Sequence, residues 1–327
     1  MKFGAVPPDE AEGAILAHSL RLRGTRLRKG RLLSAEDVAA LTDAGVSEVW
    51  IARPGRGDVD EDTAAARLAN AVAGPGLRVT RAATGRVNLH AEGPGLVEVD
   101  AAAVHALNAV DPGITLATLP PLSRMAGGTM VATAKIIPYA VEAAALDRAA
   151  EAGRGALRLL PPVLSRAHLI VTEVPGAPED PEGKGPRAVR GRVEALGGSM
   201  TAEVVPHAVA PLVAALGGSN AEILLILTGS ATSDVRDVAP AAVVEAGGRI
   251  ERFGLPVDPG NLLFLGALET RPVIGLPGCV RSPALNGADW VMERVICGVP
   301  PSSADLAAMC VGGLLKESPV RGQPRGA

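Results

Sequence analysis

From residue 156 onward the chain alternates apolar strand-like runs with helical stretches. The pattern predicts strands at 157–160, 169–172, 201–205, 223–227 and 249–253, with helices at 186–196, 208–216 and 238–246. Strand–helix alternation with short connections specifies a parallel sheet covered by helices on both faces. Ligands of such sheets sit beyond the carboxyl ends of the strands, so the loops that follow strands are the candidate site.

The first of these loops follows Leu224–Leu227 and reads Thr228-Gly229-Ser230-Ala231-Thr232-Ser233-Asp234-Val235-Arg236-Asp237 before a helix start at Val238. Small residues let backbone N–H groups approach an anion, and a helix N-terminus adds positive dipole. Asp234 and Asp237 could hold a divalent cation, and Arg236 could grip an oxyanion. Asp237 equally fits an N-cap for the next helix. The second loop is Pro256-Val257-Asp258-Pro259-Gly260-Asn261. The third is Gly275-Leu276-Pro277-Gly278-Cys279-Val280-Arg281-Ser282-Pro283. There Ser282 is placed to cap a helix with Pro283 at its first position. Arg236 and Arg281 are either anion contacts or solvated charges. Cys279 is either a small buried residue or a thiol acidified at a helix N-terminus.

Composition excludes several classes. A net charge of −3 implies no large basic surface, and 2% aromatic residues supply few stacking platforms, so nucleic acid is not an expected partner. Three cysteines without a C-x-x-C pair fit a reducing compartment. No run is long and apolar enough for a membrane span, and the N-terminus lacks a signal-peptide core. The expectation is a soluble cytoplasmic protein.

Upstream, residues 1–60 read as a strand- and turn-rich segment with one helix, opened by a Ser34/Asp37 capping box and ended at Gly45. Residues 61–155 read as a small α+β domain. It has a helix at 63–72, strands near 77–80, 86–90 and 96–99, a Gly93-Pro94-Gly95 turn between the last two, and a helix capped by Asp100. Residues 119–137 read as an irregular stretch. Lys184, Arg187 and Arg190 read as a solvated helix face, and His207 as bonded to backbone near a helix start. Residues 301–327 read as a C-terminal helix with a tail, disordered from Ser318.

The order strand–TGS–x–D–x–R–D–V–x–P, then D–P–G–N, then GLPG–x–x–x–S–P resembles the molybdopterin-binding family, which includes the Mog-type domain and the molybdopterin molybdotransferases that embed it. Gly24-Thr25-Arg26-Leu27-Arg28-Lys29-Gly30 resembles a segment near the start of the molybdotransferases. The resemblance extends loosely over 1–300 and is specific only over about 222–298. It implies a three-layer α/β/α Mog-type domain over 156–300, preceded by the smaller α+β segments, and a homo-oligomer. It also implies molybdopterin as ligand, with magnesium and molybdate as companions in molybdenum cofactor biosynthesis. Carried over by position, Thr228, Gly229 and Ser230 would cradle the pterin phosphate and Arg236 would contact it. Pro259, Gly260 and Asn261 match the family's P-G turn, and Pro277, Gly278, Arg281 and Ser282 its GLPG loop. Asp234 and Asp237 would be the catalytic acids and, with Glu173, the metal ligands.

The chain departs from that pattern at five places, one of them Val205-Pro206-His207, where the molybdotransferases carry acidic residues after the next strand. Gly229-Ser230-Ala231 replaces a glycine triplet, Val171-Thr172-Glu173-Val174 lacks the usual Gly-Asp-Glu, Asn261 replaces a lysine and Cys279 an asparagine. A site with fewer charges leaves three readings open. The chain is a molybdotransferase-like enzyme of molybdate insertion or nucleotide attachment, a non-catalytic carrier for a nucleotidyltransferase partner, or a nucleotide-pyrophosphate hydrolase on the same fold.

Overall fold

The computed structural model describes residues 1–22 and 24–317. The expected disordered tail lies outside the described residues. The chain is mixed α/β and divides into two compact units. The first holds Met1–Glu92, Val97–Ser123 and Gly127–Leu159, and the second holds Gly93–Leu96, Arg124–Ala126 and the chain from Leu160 on. Among the described residues no helix is long and apolar enough to cross a membrane.

In the first unit, strands Lys2–Val6, Val49–Arg53 and Ile15–Leu16 form a three-stranded antiparallel sheet. It covers a core of Leu16, Leu33, Leu41 and Ile51. The helix Ala35–Asp43 starts at the capping box read from the sequence, with Ser34 and Asp37 bonding each other's backbone N–H. A second, four-stranded sheet runs Ile114–Thr118, Met130–Ile136, Arg86–Ala91, Leu77–Val79. The helix Glu61–Val72, capped by Asp60, packs on it.

Two expectations for this region fail. Met130–Ile136 is a strand paired on both sides, not an irregular stretch. Its alanines, Ala132 and Ala134, are buried but too small to announce a strand. Nor does Gly93-Pro94-Gly95 close a hairpin. Arg86–Ala91 joins the four-stranded sheet, whereas Gly95–Val99 pairs in a separate sheet with Arg124–Met125 and Leu157–Leu160.

The second unit carries the predicted alternation from Arg166 on, but the expected first strand, Leu157–Leu160, pairs with Gly95–Val99 in a separate sheet, and Arg249–Phe253 pairs antiparallel rather than parallel. Its elements are β1 (Arg166–Glu173), α1 (Lys184–Glu194), β2 (Ser199–Pro206), α2 (Val209–Gly218), β3 (Ile223–Leu227), α3 (Val238–Glu245), β4 (Arg249–Phe253), β5 (Phe264–Leu268), β6 (Arg271–Leu276), α4 (Gly287–Ile296) and α5 (Ser303–Ala308). The sheet order is β2-β1-β3-β6-β5-β4. β2, β1, β3 and β6 are parallel, while β5 and β4 are antiparallel additions. Every residue of β3 is buried, as a central strand covered on both faces requires. Leu224 and Ile226 pack with Leu212 and Leu216 of α2 and Val243 of α3. Gly185 of α1 lies against Leu227, which points to the other face.

The antiparallel excursion positions the site. β6 runs parallel to β3, β5 reverses and β4 reverses again. The β4–β5 connection therefore emerges at the same sheet edge as the carboxyl ends of β1, β3 and β6.

Candidate functional site

Three loops meet at that edge around a cavity of ≈ 600 Å³. Thr228, Gly229, Ser230, Pro259, Gly260, Asn261, Pro277, Gly278 and Arg281 all line it. A volume of this order suits a small-molecule ligand. Its charged lining is Arg281, Lys316, Glu179 and Asp258.

The loop after β3 is built tightly onto β1. The buried Thr172 hydroxyl accepts the Gly229 N–H at 3.1 Å and bonds His207 Nδ1 at 2.8 Å. His207 is therefore held by a side chain, not by backbone near its helix. A Cβ on Gly229 would stand 2.5 Å from the Thr172 carbonyl oxygen. Glycine is required there by the close approach of two strand ends, and its N–H is already used inside the protein. Gly229→Ala is expected to push the loop into the cavity and weaken ligand binding about tenfold. Ligand titration checks this, and unchanged affinity would show that the loop yields freely.

Arg281 sits on a short 3-10 helix, Gly278–Arg281. Its guanidinium donates to both Glu179 oxygens, at 3.0 and 2.7 Å, and reaches the Thr228 carbonyl at 3.4 Å. Glu179 lies in the loop after β1, where its N–H donates to the Glu173 carboxylate at 3.1 Å. A further part of the lining comes from the end of the described chain. Asp258 N–H donates to the Gly313 carbonyl, and Leu315 N–H to the Asp258 carbonyl, both at 2.8 Å. This strap brings Lys316 Nζ to 3.0 Å from Asp258 Oδ2.

Behind the loop after β6 stands Arg192 of α1, 7% exposed. All five of its N–H groups are used. Nε pairs with Asp289, Nη1 donates to the carbonyls of Ala188 and Val280, and Nη2 to those of Ser282 and Ala284. This explains why Ser282 and Pro283 do not open a helix. With the Ser282 and Ala284 carbonyls turned to Arg192, α4 starts instead at Gly287, where Asn286 and Asp289 form the capping box. Ser282 closes the 3-10 helix and is outside the cavity lining.

The predicted acidic set does not gather in the cavity. Asp234 is chelated by Arg236 of its own loop, at 2.8 and 3.1 Å, and both are solvent-exposed. The Arg236 hydrogen bonds hold the Asp234 carboxyl down at about 2. Asp237 caps α3 through Val238 N–H at 2.7 Å. Glu173 lines a neighbouring cavity with His207. Among the described residues no three His, Cys, Asp or Glu side chains are grouped to hold a metal. Cys279 lines the main cavity, but burial pushes its thiol up, so it is not the acidified thiol its position suggested. Arg190 is likewise no free surface charge, since it donates to the Met200 carbonyl and to Glu182.

Sequence reasoning missed Glu179, Lys316 and Arg192. Arg281 and Glu179 lie 102 residues apart, and Arg192 reaches Val280 across 88, so no local spacing marks these pairs. The one signal available was Asp258 in the D–P–G–N turn.

Residues 5–53 match a family model described as a domain of unknown function (DUF8806). No curated protein matches the sequence. Among solved structures, the fold is similar to the molybdopterin biosynthesis MoeA protein from Pyrococcus horikosii. The identity is 13%, over 93% of this chain and 75% of that one, with a TM-score of 0.30. It is also similar to a molybdenum cofactor biosynthesis protein from Pyrococcus furiosus. There the identity is 12%, over 94% of this chain and 65% of that one, with a TM-score of 0.24. At these scores the likeness identifies neither a family nor an activity.

Proposed function

We propose that the cavity binds a phosphorylated pterin of the molybdopterin class, and that the chain serves molybdenum cofactor assembly through a Mog-type domain. One observation carries this reading. Nine of the residues matched to the family's three loops line a single cavity at the carboxyl edge of one sheet. Arg281 and Lys316 supply the charge for a phosphate or molybdate oxyanion, and the small residues of the loop after β3 leave room for a flat ring.

The residues present do not fit magnesium through Asp234, Asp237 and Glu173, which stand in separate environments. No step is routed through that metal. This favours holding the ligand over transforming it, with delivery to a nucleotidyltransferase partner.

The test is calorimetry of the full chain with molybdopterin, with and without magnesium, checked by fluorescence of the oxidised pterin. Tight binding, indifferent to magnesium and lost in Arg281→Glu, is the expected result. Binding that requires magnesium would restore the transferase reading. No pterin binding, with hydrolysis of a nucleotide pyrophosphate, would replace both with the hydrolase.

A further inference from the structure

Both cations of the cavity are occupied. Arg281 is held bidentately by Glu179, and Lys316 by Asp258. Among the described residues, neither carboxylate accepts from a further side-chain donor. The carboxylates and their cations are all partly accessible, Glu179 at 20% and Asp258 at 37%. Glu179 comes from the loop after β1, and Asp258 from the β4–β5 connection. The two ion pairs thus sit on different walls of one cavity, each a guanidinium or ammonium facing a carboxylate that mimics a phosphate oxygen pair.

We infer that Arg281 and Lys316 form a two-cation clamp for the anionic group of the ligand, and that Glu179 and Asp258 are resident stand-ins which that group displaces. The inference rests on the reading of this cavity as an anion-ligand site. It adds Lys316, delivered by the C-terminal strap, as a binding residue, and gives the carboxylates a role opposite to that of catalytic acids. They lower affinity for anions in general, so that only a ligand with further contacts in the cavity opens both pairs. The strap is part of the site. Gly313 is needed in it, because a Cβ there would stand 2.7 Å from both the Met309 and the Pro256 carbonyl oxygens.

The pairs are exposed enough that each carboxylate opposes the ligand only modestly. Neutralising one stand-in should tighten anion binding by roughly two- to fivefold. Removing a cation should weaken it by roughly three- to tenfold.

The experiment titrates inorganic pyrophosphate into the full-length protein by calorimetry at fixed ionic strength. Wild type is compared with Glu179→Gln, Asp258→Asn, Lys316→Ala and Arg281→Ala. Tighter binding in the first two variants and weaker binding in the last two is the expected pattern. If Arg281→Ala weakens binding while the carboxylate variants do not tighten it, or Lys316→Ala leaves it unchanged, the stand-in role is overturned and the site reading survives. If Glu179→Gln and Asp258→Asn weaken binding, the carboxylates are themselves ligand contacts and the inference is wrong. Should no variant bind pyrophosphate or molybdopterin, the site reading falls with it. Thermal melts of all four variants separate binding from folding, since these side chains lie at a cavity surface.

Discussion

Replacing Arg192 by leucine is expected to destabilise the protein by ~3–5 kcal/mol, the cost of leaving a buried charge without its partner. The Asp289 carboxylate, 4% exposed, would lose its counter-charge while the carbonyls of Val280, Ser282 and Ala284 lose donors. Lysine would rescue little, because one ammonium cannot serve acceptors spread around a planar fork. Urea denaturation of the three proteins measures this, and a loss below about 1 kcal/mol would show that the segment repacks around the gap. The same substitution should weaken ligand binding, because Arg192 fixes the segment that carries Arg281. The double variant Arg192→Met, Asp289→Leu should recover part of the stability, because both charges leave together.

The second large effect is a loss of stability with rising pH, centred on Glu293 of α4. This carboxyl is buried, and desolvation pushes it from its ordinary value of 4.5 up to about 7. Arg124, 3.5 Å away, offsets only part of that burial, and Asp289 adds to it. An acid with a raised folded value stays protonated in the folded chain while it ionises in the unfolded one. Its contribution is therefore full below about pH 4.5 and is lost as pH rises towards 7, amounting to about 3 kcal/mol. Glu293→Gln should flatten the stability profile across that window and raise stability at pH 8. A variant with the wild-type slope would mean that Glu293 is already solvated or paired in the folded protein.

The parts of the fold legible in sequence are those written locally. Ser34 with Asp37, and Asp100, each announce a helix within four residues, and both cap as read. The apolar run of β3 and the small loop behind it are equally local, and so is their place at the sheet edge. The illegible parts depend on distant partners. Ser282-Pro283 carries a good helix-start signal, yet Arg192, some 90 residues earlier, claims its carbonyls and moves the start to Asn286. Asp234 and Asp237 looked like a metal pair because spacing alone does not show which neighbour each carboxylate serves. One chelates an arginine two residues on, and the other caps a helix. Two of the cavity's four charged residues, Glu179 and Lys316, lie in no motif of the three loops.

The second unit also borrows two short pieces, Gly93–Leu96 and Arg124–Ala126, from far upstream in the chain. On the ribosome those pieces emerge long before the unit they belong to. The two pieces pair with each other, Arg124 against Leu96 and Met125 against Gly95, so this ladder can form before the rest of their unit is made. A fragment beginning at residue 160 would lack Arg124, the cation that most offsets the burial of Glu293. Neither unit is one continuous stretch of chain, so no single backbone cut yields either unit intact.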